Sequence, residues 1–235
     1  MSIKAVLFDL DGTLLPMDAK VFIDEYKVTM GKKIAPYGYN GELLVKAIWG
    51  GIGEMQKNDG TVTNEEVYNA VFHKYLGDDM WDIKKILADY HLNEFQQVKD
   101  VCGYNPKAAE SVRACKEMGY RVVLATNPVF PSIATESRMR WAGLEPEEFE
   151  LYTTYENSSF CKPSLEYYVE IMNKLGLSPE ECLMVGNDVT EDMVTEELGM
   201  KVFLLTNDLI NREGKDISRY PQGDYDDLLN FIKEM

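Results

Sequence analysis

The chain has 235 residues, of which 45% are apolar and 27% are charged, as in most folded globular proteins. This composition excludes a disordered chain, a fibrous repeat and a small disulfide-rich protein. Acidic residues outnumber basic ones by 40 to 24 and give a formal net charge of −16, so we expect neither nucleic acid nor an anionic membrane as a partner. A protein this acidic must collect positive charge locally if it is to bind an anion.

The cysteines and histidines do not predict a zinc site. Cys102, Cys115, Cys161 and Cys182 form no CxxC pair, and the chain has only two histidines. Isolated thiols suit a reducing compartment. The N-terminus lacks signal-peptide architecture, and no apolar run approaches the length of a membrane span. We therefore expect a cytoplasmic protein.

The first predicted element is a buried strand at residues 5–10 that ends in an acidic turn. In residues 16–102 the apolar positions recur at helical spacing and predict helices without a convincing strand. Thr63 and Glu66 predict a capping box at the start of one of these helices. Residues 50–53, which contain three glycines, predict a flexible break.

From residue 105 onwards, helices and strands alternate along the chain. Helices are predicted at residues 105–118, 132–141, 164–175, 191–198 and 226–233, and strands at 121–126, 150–155, 182–186 and 201–205. Strands separated by helices pair in parallel through right-handed crossovers. The predicted fold class is α/β: a doubly wound, Rossmann-like core of residues 1–15 and 103–235 with an inserted all-helical domain of residues 16–102.

The residues whose side chains could take part in binding or catalysis lie just past the predicted strands. In open α/β sheets, ligands bind beyond the carboxyl ends of the strands. There, or at the start of a nearby helix, the chain has Asp9, Asp11, Gly12, Thr13, Thr126, Asn127, Lys162, Asn187, Asp188 and Asp192. We expect these acids, the hydroxyl and the lysine to converge at one edge of the sheet.

Carboxylates that converge in this way repel one another and are costly to bury. A divalent cation is the simplest compensation, and hard oxygen ligands suit Mg²⁺. A cation and a carboxylate opposite a lysine and a hydroxyl make a site for a phosphoryl group. The carboxylate can attack phosphorus and form an aspartyl-phosphate, while the other groups neutralise the phosphoryl oxygens.

The motif DLDGT at residues 9–13, directly after an apolar strand, resembles the signature of the haloacid dehalogenase-like hydrolase superfamily. The motifs LATN, CKPS and GNDVTED follow in the family's order. The resemblance covers residues 4–15 and residue 105 to the C-terminus, and residues 16–102 fit as a cap domain between the first and second motifs. Family members that resemble dehalogenases lack an acid two residues after the nucleophile. The presence of Asp11 therefore implies the phosphatase branch.

The resemblance also implies roles for individual residues. Asp9 would be the nucleophile and a metal ligand, and Asp11 the general acid/base, with its backbone carbonyl as a second metal ligand. Thr126 and Lys162 would act in catalysis by holding the phosphoryl group. The implied substrate-binding residues are Gly12, Thr126, Asn127 and Lys162, and the implied ligands of Mg²⁺ are Asp9, Asp11, Asp188 and Asp192.

The chain departs from the family pattern at two places. The family usually has Gly-Asp directly after the fourth strand, whereas this chain has Gly186-Asn187-Asp188. Either Asp188 is the ligand, or Asn187 takes that position and Asp192 matters more; we favour Asp188 because a carboxylate binds Mg²⁺ better than an amide. In addition, Pro128 removes a backbone N–H near the phosphate site.

From the sequence we predict a Mg²⁺-dependent phosphatase that hydrolyses a small phosphorylated metabolite, a phosphomonoester, beneath a helical cap. One alternative is a sugar-phosphate mutase of the same superfamily. Another is a module that becomes phosphorylated but barely turns over. The identity of the substrate and the oligomeric state are left open at this stage.

Overall fold

Residues 2–235, described by a computed structural model, contain a parallel sheet with the strand order β3-β2-β1-β4-β5-β6. Its six strands are β1 (Ala5–Phe8), β2 (Arg121–Leu124), β3 (Leu151–Tyr152), β4 (Cys182–Gly186), β5 (Lys201–Leu205) and β6 (Gln222–Gly223). The strand order reverses between β1 and β4. Ligands of doubly wound sheets bind at such a switch point.

The central strand β1 is buried on both faces. Val6 and Phe8 pack into one hydrophobic cluster, and Ala5 and Leu7 pack into a second cluster on the opposite face. This two-sided burial accounts for the uninterrupted apolar run in the sequence. It also places Asp9 at the carboxyl end of the strand, between the ends of β2 and β4.

Helices and 3-10 helices surround the sheet. The α-helices of this part are α5 (Pro106–Glu117), α6 (Ser132–Trp141), α7 (Leu165–Leu175) and α8 (Tyr225–Lys233), and the 3-10 helices are Pro146–Glu148, Pro179–Glu181 and Met193–Leu198. The predicted α/β fold class is confirmed. No helix of residues 2–235 is both long and apolar enough to cross a membrane.

Three details differ from the prediction. The strand expected at residues 150–155 is only two residues long, because the chain turns at Thr154, whose N–H donates to the Asn157 side chain at 2.9 Å. The α-helix expected at residues 191–198 is a 3-10 helix that starts at Met193, because the preceding N–H groups bind the carboxylate of Asp188. Strand β6 has two residues, too few to produce a periodic signal.

The inserted segment folds into helices, as predicted. They are α1 (Ala19–Ile34), α2 (Gly41–Met55), α3 (Asn64–Leu76) and α4 (Met80–Leu92), with 3-10 helices at Ala35–Tyr37, Gly77–Asp79 and Glu94–Val101. The capping box of Thr63 and Glu66 is present. Met17 forms an antiparallel bridge with Cys102, and the N–H of Gly103 donates to the carbonyl of Pro16 at 2.7 Å. We propose that the core and the cap divide at residues 15/16 and 102/103. The pairing of these residues places the two connections between core and cap next to each other.

The flexible break expected at residues 50–53 is wrong, because these residues lie inside α2. A Cβ atom on Gly51 would lie 2.6 Å from Cδ2 of Tyr68 on α3, so the missing side chain lets the two helices approach closely. Nothing lies within 4 Å of the corresponding position on Gly53. The glycines of α2 therefore differ in the space around them, and Gly51 allows α2 and α3 to pack closely.

This difference predicts opposite effects of two matched substitutions. Gly53→Ala should stabilise the protein by about 0.5–1 kcal/mol, because alanine loses less backbone entropy in a helix. Gly51→Ala should destabilise it, because the new methyl group overlaps the Tyr68 ring. Urea denaturation of both variants measures the difference, and equal changes in the free energy of unfolding would contradict the packing role of Gly51.

Candidate functional site

A cavity of about 170 Å³ lies at the carboxyl ends of β1, β2 and β4. Of the residues singled out from the sequence, those that line it are Asp9, Asp11, Thr126, Asn127, Asn187, Asp188 and Asp192. Lys162 joins them through its contact with Asp9. The tertiary structure thus brings together polar residues that are up to 183 positions apart in the chain.

A buried lysine links two of the carboxylates. Nζ of Lys162 donates to Oδ1 of Asp9 at 2.8 Å and to Oδ1 of Asp192 at 2.6 Å, and its side chain is 1% exposed. Burial alone would lower the pKa of Lys162, but the charges of Asp192 and Asp9 raise it well above its usual value. Lys162 therefore stays cationic in the absence of solvent.

Both carboxylate oxygens of Asp192 accept hydrogen bonds from groups within the protein. Its Oδ1 binds Lys162, and its Oδ2 accepts a hydrogen bond from the backbone N–H of Asp188 at 3.0 Å. Each oxygen thus has one partner within the protein, and the role in metal binding predicted for Asp192 stays a prediction. Its position is suited to orienting Lys162.

The turn after β1 is held by hydrogen bonds between Thr13, Asp9 and Asn187. The hydroxyl of Thr13 lies 3.0 Å from Oδ2 of Asp9 and 2.9 Å from Oδ1 of Asn187. Nδ2 of Asn187 donates to the carbonyl of Asp208 at 2.6 Å. Both ends of the Asn187 side chain are thus engaged. The sequence analysis included Thr13 in the first motif but assigned it no role.

Gly12 makes this turn sterically feasible. Its φ of +84° lies in the left-handed region, and a Cβ atom there would come within 2.3 Å of Nδ2 of Asn187. Gly12 therefore allows the chain to reverse after Asp11 while Asn187 packs against it. The sequence analysis expected Gly12 to contribute to substrate binding, and this geometry gives it a steric role as well.

Asp188 presents its carboxylate to the cavity. Its Oδ1 accepts hydrogen bonds from the N–H groups of Thr190 at 2.8 Å and Glu191 at 3.0 Å. Its Oδ2 lies 3.5 Å from Nη1 of Arg212, an exposed side chain on the loop after β5. Arg212 and Glu191 line the same cavity but were not predicted, because Arg212 lies outside the motifs and the resemblance assigned no role to Glu191 within GNDVTED.

The donor groups suit Mg²⁺ rather than a metal held entirely by protein side chains. Within residues 2–235, no three His, Cys, Asp or Glu side chains are arranged to hold one ion. Mg²⁺ commonly takes only one or two carboxylates and completes its shell with water and phosphate oxygens. Asp9 and Asp188 line one cavity and provide two such carboxylates.

Thr126 and Asn127 are held at the end of β2. The carbonyl of Thr126 accepts hydrogen bonds from the hydroxyl of Thr153 at 2.7 Å and from that of Tyr167 at 2.8 Å. Nδ2 of Asn127 lies 3.4 Å from Oε2 of Glu191, and its Oδ1 is buried without a hydrogen-bond partner among the described residues. The backbone carbonyl of Thr126 thus has two hydrogen-bond donors, whereas the side-chain oxygen of Asn127 has none among the described residues.

A buried arginine pairs with Asp11, and the sequence analysis missed it. Arg138 on α6 is fully buried, and its Nη1 donates to Oδ2 of Asp11. Its guanidinium carbon lies 4.5 Å from the ring centroid of Phe130, and its Nη2 donates to the hydroxyl of Thr135 at 3.3 Å. No sequence pattern distinguishes Arg138 from Arg140 on the same helix, because the buried positions of α6 include Thr135 and Ser137 and form no apolar stripe.

The two oxygens of the Asp11 carboxyl group have different environments. One oxygen binds Arg138, while Oδ1 is buried and has no hydrogen-bond partner in residues 2–235. Burial raises the pKa of Asp11, although the charge of Arg138 acts in the opposite direction. Asp11 can therefore hold a proton more readily than an ordinary surface aspartate.

We expect the effects of substituting Arg138 and Asp11 on the free energy of unfolding to be coupled. Arg138→Met should destabilise the protein by about 1–3 kcal/mol, because the Asp11 side chain, which is 32% exposed, loses its charged partner. In the double variant with Asp11→Asn, the loss should be smaller than the sum of the two single losses.

Arg140→Met provides the control on the same helix. Arg140 makes exposed ion pairs with Glu136 at 3.4 Å and Glu145 at 3.2 Å, and such pairs contribute less than about 1 kcal/mol. Urea denaturation measures all four variants. Additive effects of the Arg138 and Asp11 substitutions would contradict a direct energetic coupling.

Comparisons with known proteins identify the family of the chain. The family model described as haloacid dehalogenase-like hydrolase matches residues 3–195. The glyceraldehyde 3-phosphate phosphatase of Methanocaldococcus jannaschii is 24% identical over 99% of this chain and 98% of its own length. The pyrophosphatase PpaX of Bacillus cereus is 23% identical over 86% of this chain and 82% of its own.

A solved structure has the same fold. The HAD phosphatase from Thermococcus onnurineus superposes with a TM-score of 0.58 and 18% identity, and the superposition covers 98% of each chain. The family match and the order of the four motifs confirm the resemblance seen in the sequence. The chain belongs to the haloacid dehalogenase-like hydrolase family.

Proposed function

We propose that the protein is a Mg²⁺-dependent phosphatase that hydrolyses a small phosphomonoester through an aspartyl-phosphate on Asp9. The observation that carries this proposal is the Asp9 carboxylate at the end of the central strand, bound by Lys162 and Thr13 and facing the same cavity as Asp11 and Asp188. Membership of the family and the phosphatase names of its relatives support it.

Asp9, the backbone carbonyl of Asp11 and Asp188 would hold the Mg²⁺ ion in this proposal. When bound, Mg²⁺ supplies positive charge against the phosphoryl oxygens. We assign Asp192 to positioning Lys162, because its side chain is only 1% exposed, whereas those of Asp9 and Asp188 are each 10% exposed. Asn187 has its carbonyl oxygen bound to Thr13, so among the open alternatives Asp188 is the better third ligand.

The reaction then divides into two steps that use the same residues. A carboxylate oxygen of Asp9 bonds to phosphorus as the bond to the alcohol oxygen breaks, and Asp11 gives its proton to that oxygen. In the second step, water attacks the phosphorus of the aspartyl-phosphate and gives its proton to Asp11, and Asp9 departs as a carboxylate. Lys162, Thr126 and Asn127 bind the phosphoryl oxygens, and Lys162 offsets their charge.

The helical insertion acts as the cap in this mechanism. At the start of α3, Nδ2 of Asn64 donates to the carbonyl of Phe160 at 3.2 Å, and the N–H of Glu65 donates to the carbonyl of Tyr155 at 2.8 Å. These bonds connect the insertion to the chain just before Lys162. Closure of the insertion over the site would exclude bulk water during attack by Asp9.

The space beneath the insertion favours a phosphatase over a sugar-phosphate mutase. A mutase must hold a polar sugar while phosphate moves between two of its hydroxyls. The lining residues there are mostly aromatic and aliphatic, and the cation among them, Lys84, is already 3.2 Å from Glu65. The presence of Asp9, Asp11 and Lys162 together argues against the alternative of a module that becomes phosphorylated but barely turns over.

The metal assignment can be tested by activity and by binding. Wild-type protein should release phosphate from phosphomonoesters with Mg²⁺ and lose this activity in excess chelator, and Asp9→Asn should be inactive because an amide is a poor nucleophile. Asp188→Asn should raise the Kd for Mg²⁺, measured by calorimetry, by about tenfold or more.

Asp192→Asn is the matched control for the metal assignment. It should leave the Kd for Mg²⁺ near the wild-type value and still lower kcat, because Lys162 loses a partner. Full turnover in chelator would overturn the metal requirement. A larger rise in Kd for Asp192→Asn than for Asp188→Asn would exchange the two assignments.

The acid/base assignment of Asp11 predicts a dependence on the leaving group. Asp11→Asn should lower the rate on alkyl phosphates by about 10²–10⁴, because an alcohol leaving group must be protonated. The first step on aryl phosphates should suffer less, since their leaving groups need less protonation. In quenched samples, mass spectrometry should then find phosphate attached to Asp9. Near wild-type hydrolysis of alkyl phosphates by Asp11→Asn would remove Asp11 from proton transfer.

A further inference from the structure

A second cavity lies between the helical insertion and the loop that follows Thr126. It has a volume of about 130 Å³. Aromatic and aliphatic side chains dominate its walls, chiefly Tyr26, Trp49, Ile52, Tyr68, Phe130 and Tyr155. An apolar cavity of about 150 Å³ in a protein can hold one benzene molecule. The space therefore matches a single ring and is too small for a nucleoside.

The cavity presents little charge to a bound molecule. Lys84 is the charged side chain at its wall, and Nζ of Lys84 already donates to Glu65 at 3.2 Å and to Asn69 at 2.8 Å. His91 is buried with Nε2 3.2 Å from the hydroxyl of Tyr26, and burial lowers its pKa to about 4. It is therefore uncharged near pH 7. The hydroxyls of Tyr68 and Tyr155 and the indole N–H of Trp49 are few polar groups against an otherwise apolar wall, so the cavity suits an apolar ring better than a sugar.

The two cavities are lined by different residues of the same two chain segments. Helix α1 contributes Ala19 to the acidic cavity and Tyr26 to the apolar one, and seven residues of helix span about 10 Å. After Thr126, Asn127 lines the acidic cavity and Val129 the apolar one. The N–H of Val129 donates to the carbonyl of Asn127 at 2.9 Å, so these two residues are in contact. The two cavities are thus adjacent, which is the arrangement that a ring tied to a phosphate by a short spacer requires.

We propose that the apolar cavity binds the organic part of the substrate, and that the substrate is the phosphomonoester of an alcohol with one apolar ring on a short spacer. This inference rests on the proposed phosphatase function. It deepens that function by naming a substrate class, and it separates the enzyme from those that act on triose or hexose phosphates. Burial of a ring-sized group typically raises kcat/KM by about 10- to 100-fold if the contact is kept in the transition state.

A series of esters tests the proposal on the wild-type protein. Benzyl, 2-phenylethyl and 3-phenylpropyl phosphate are compared with ethyl phosphate and glycerol 3-phosphate. All are esters of primary alcohols, so the protonation required of the leaving group is similar and the comparison reports binding of the organic part. The best phenylalkyl ester should exceed both small esters in kcat/KM by about tenfold or more, and the length of its spacer measures the separation of the two cavities.

Substitutions that fill the cavity provide the matched test. Ala88 on α4 is exposed and lines the cavity, so Ala88→Phe should place a ring where the substrate ring would lie. The ratio of kcat/KM for the best phenylalkyl ester to that for ethyl phosphate should fall by about tenfold. Ile52→Trp on α2 fills the cavity from another side. Ala70→Phe is the control, because Ala70 is an exposed residue of α3 and does not line the cavity.

The outcomes separate this inference from the proposed function. A preference for phenylalkyl esters that both filling substitutions reduce and Ala70→Phe does not would support it. Equal kcat/KM across the series, or a ratio that neither filling substitution changes, would overturn the inference while the phosphatase remains. If no ester releases phosphate, the proposed function fails first, and the substrate class fails with it.

Discussion

The site depends above all on one buried cation, the ammonium group of Lys162. Asp9 and Asp192 face each other across it at hydrogen-bond distance, almost without solvent. Without this lysine, two carboxylates would share a desolvated space and at least one would have to take up a proton. With it, a cation lies within hydrogen-bond distance of both carboxylates and offsets their charge at the end of the central strand.

A second buried cation serves the neighbouring acid. Arg138 binds one oxygen of Asp11 and leaves the other without a partner among the described residues. A protein with a net charge of −16 thus places two of its cations inside, each against a carboxylate of the site. Each of these cations offsets the charge of a carboxylate, and in the proposed mechanism Mg²⁺ would supply the further positive charge that a phosphoryl group needs.

The two cavities divide recognition between the core and the insertion. The acidic cavity is built from strand ends, which the sheet holds rigidly, and its residues suit a phosphoryl group and Mg²⁺. The apolar cavity takes most of its walls from the insertion helices, whose sequence can change without disturbing the strand ends. Chemistry and substrate choice would therefore reside in different parts of one chain.

The sequence by itself determined the α/β class, because apolar runs that alternate with helices specify buried parallel strands, and it predicted that the acids after those strands lie at one edge of the sheet. Only the tertiary structure decided which groups touch. It showed that Asp192 is bound to Lys162, that Arg138 is paired with Asp11, and that Gly51 lies inside a helix. Periodicity and motifs report local structure, whereas these contacts join residues up to 127 positions apart, and their energies depend on burial that no local pattern encodes.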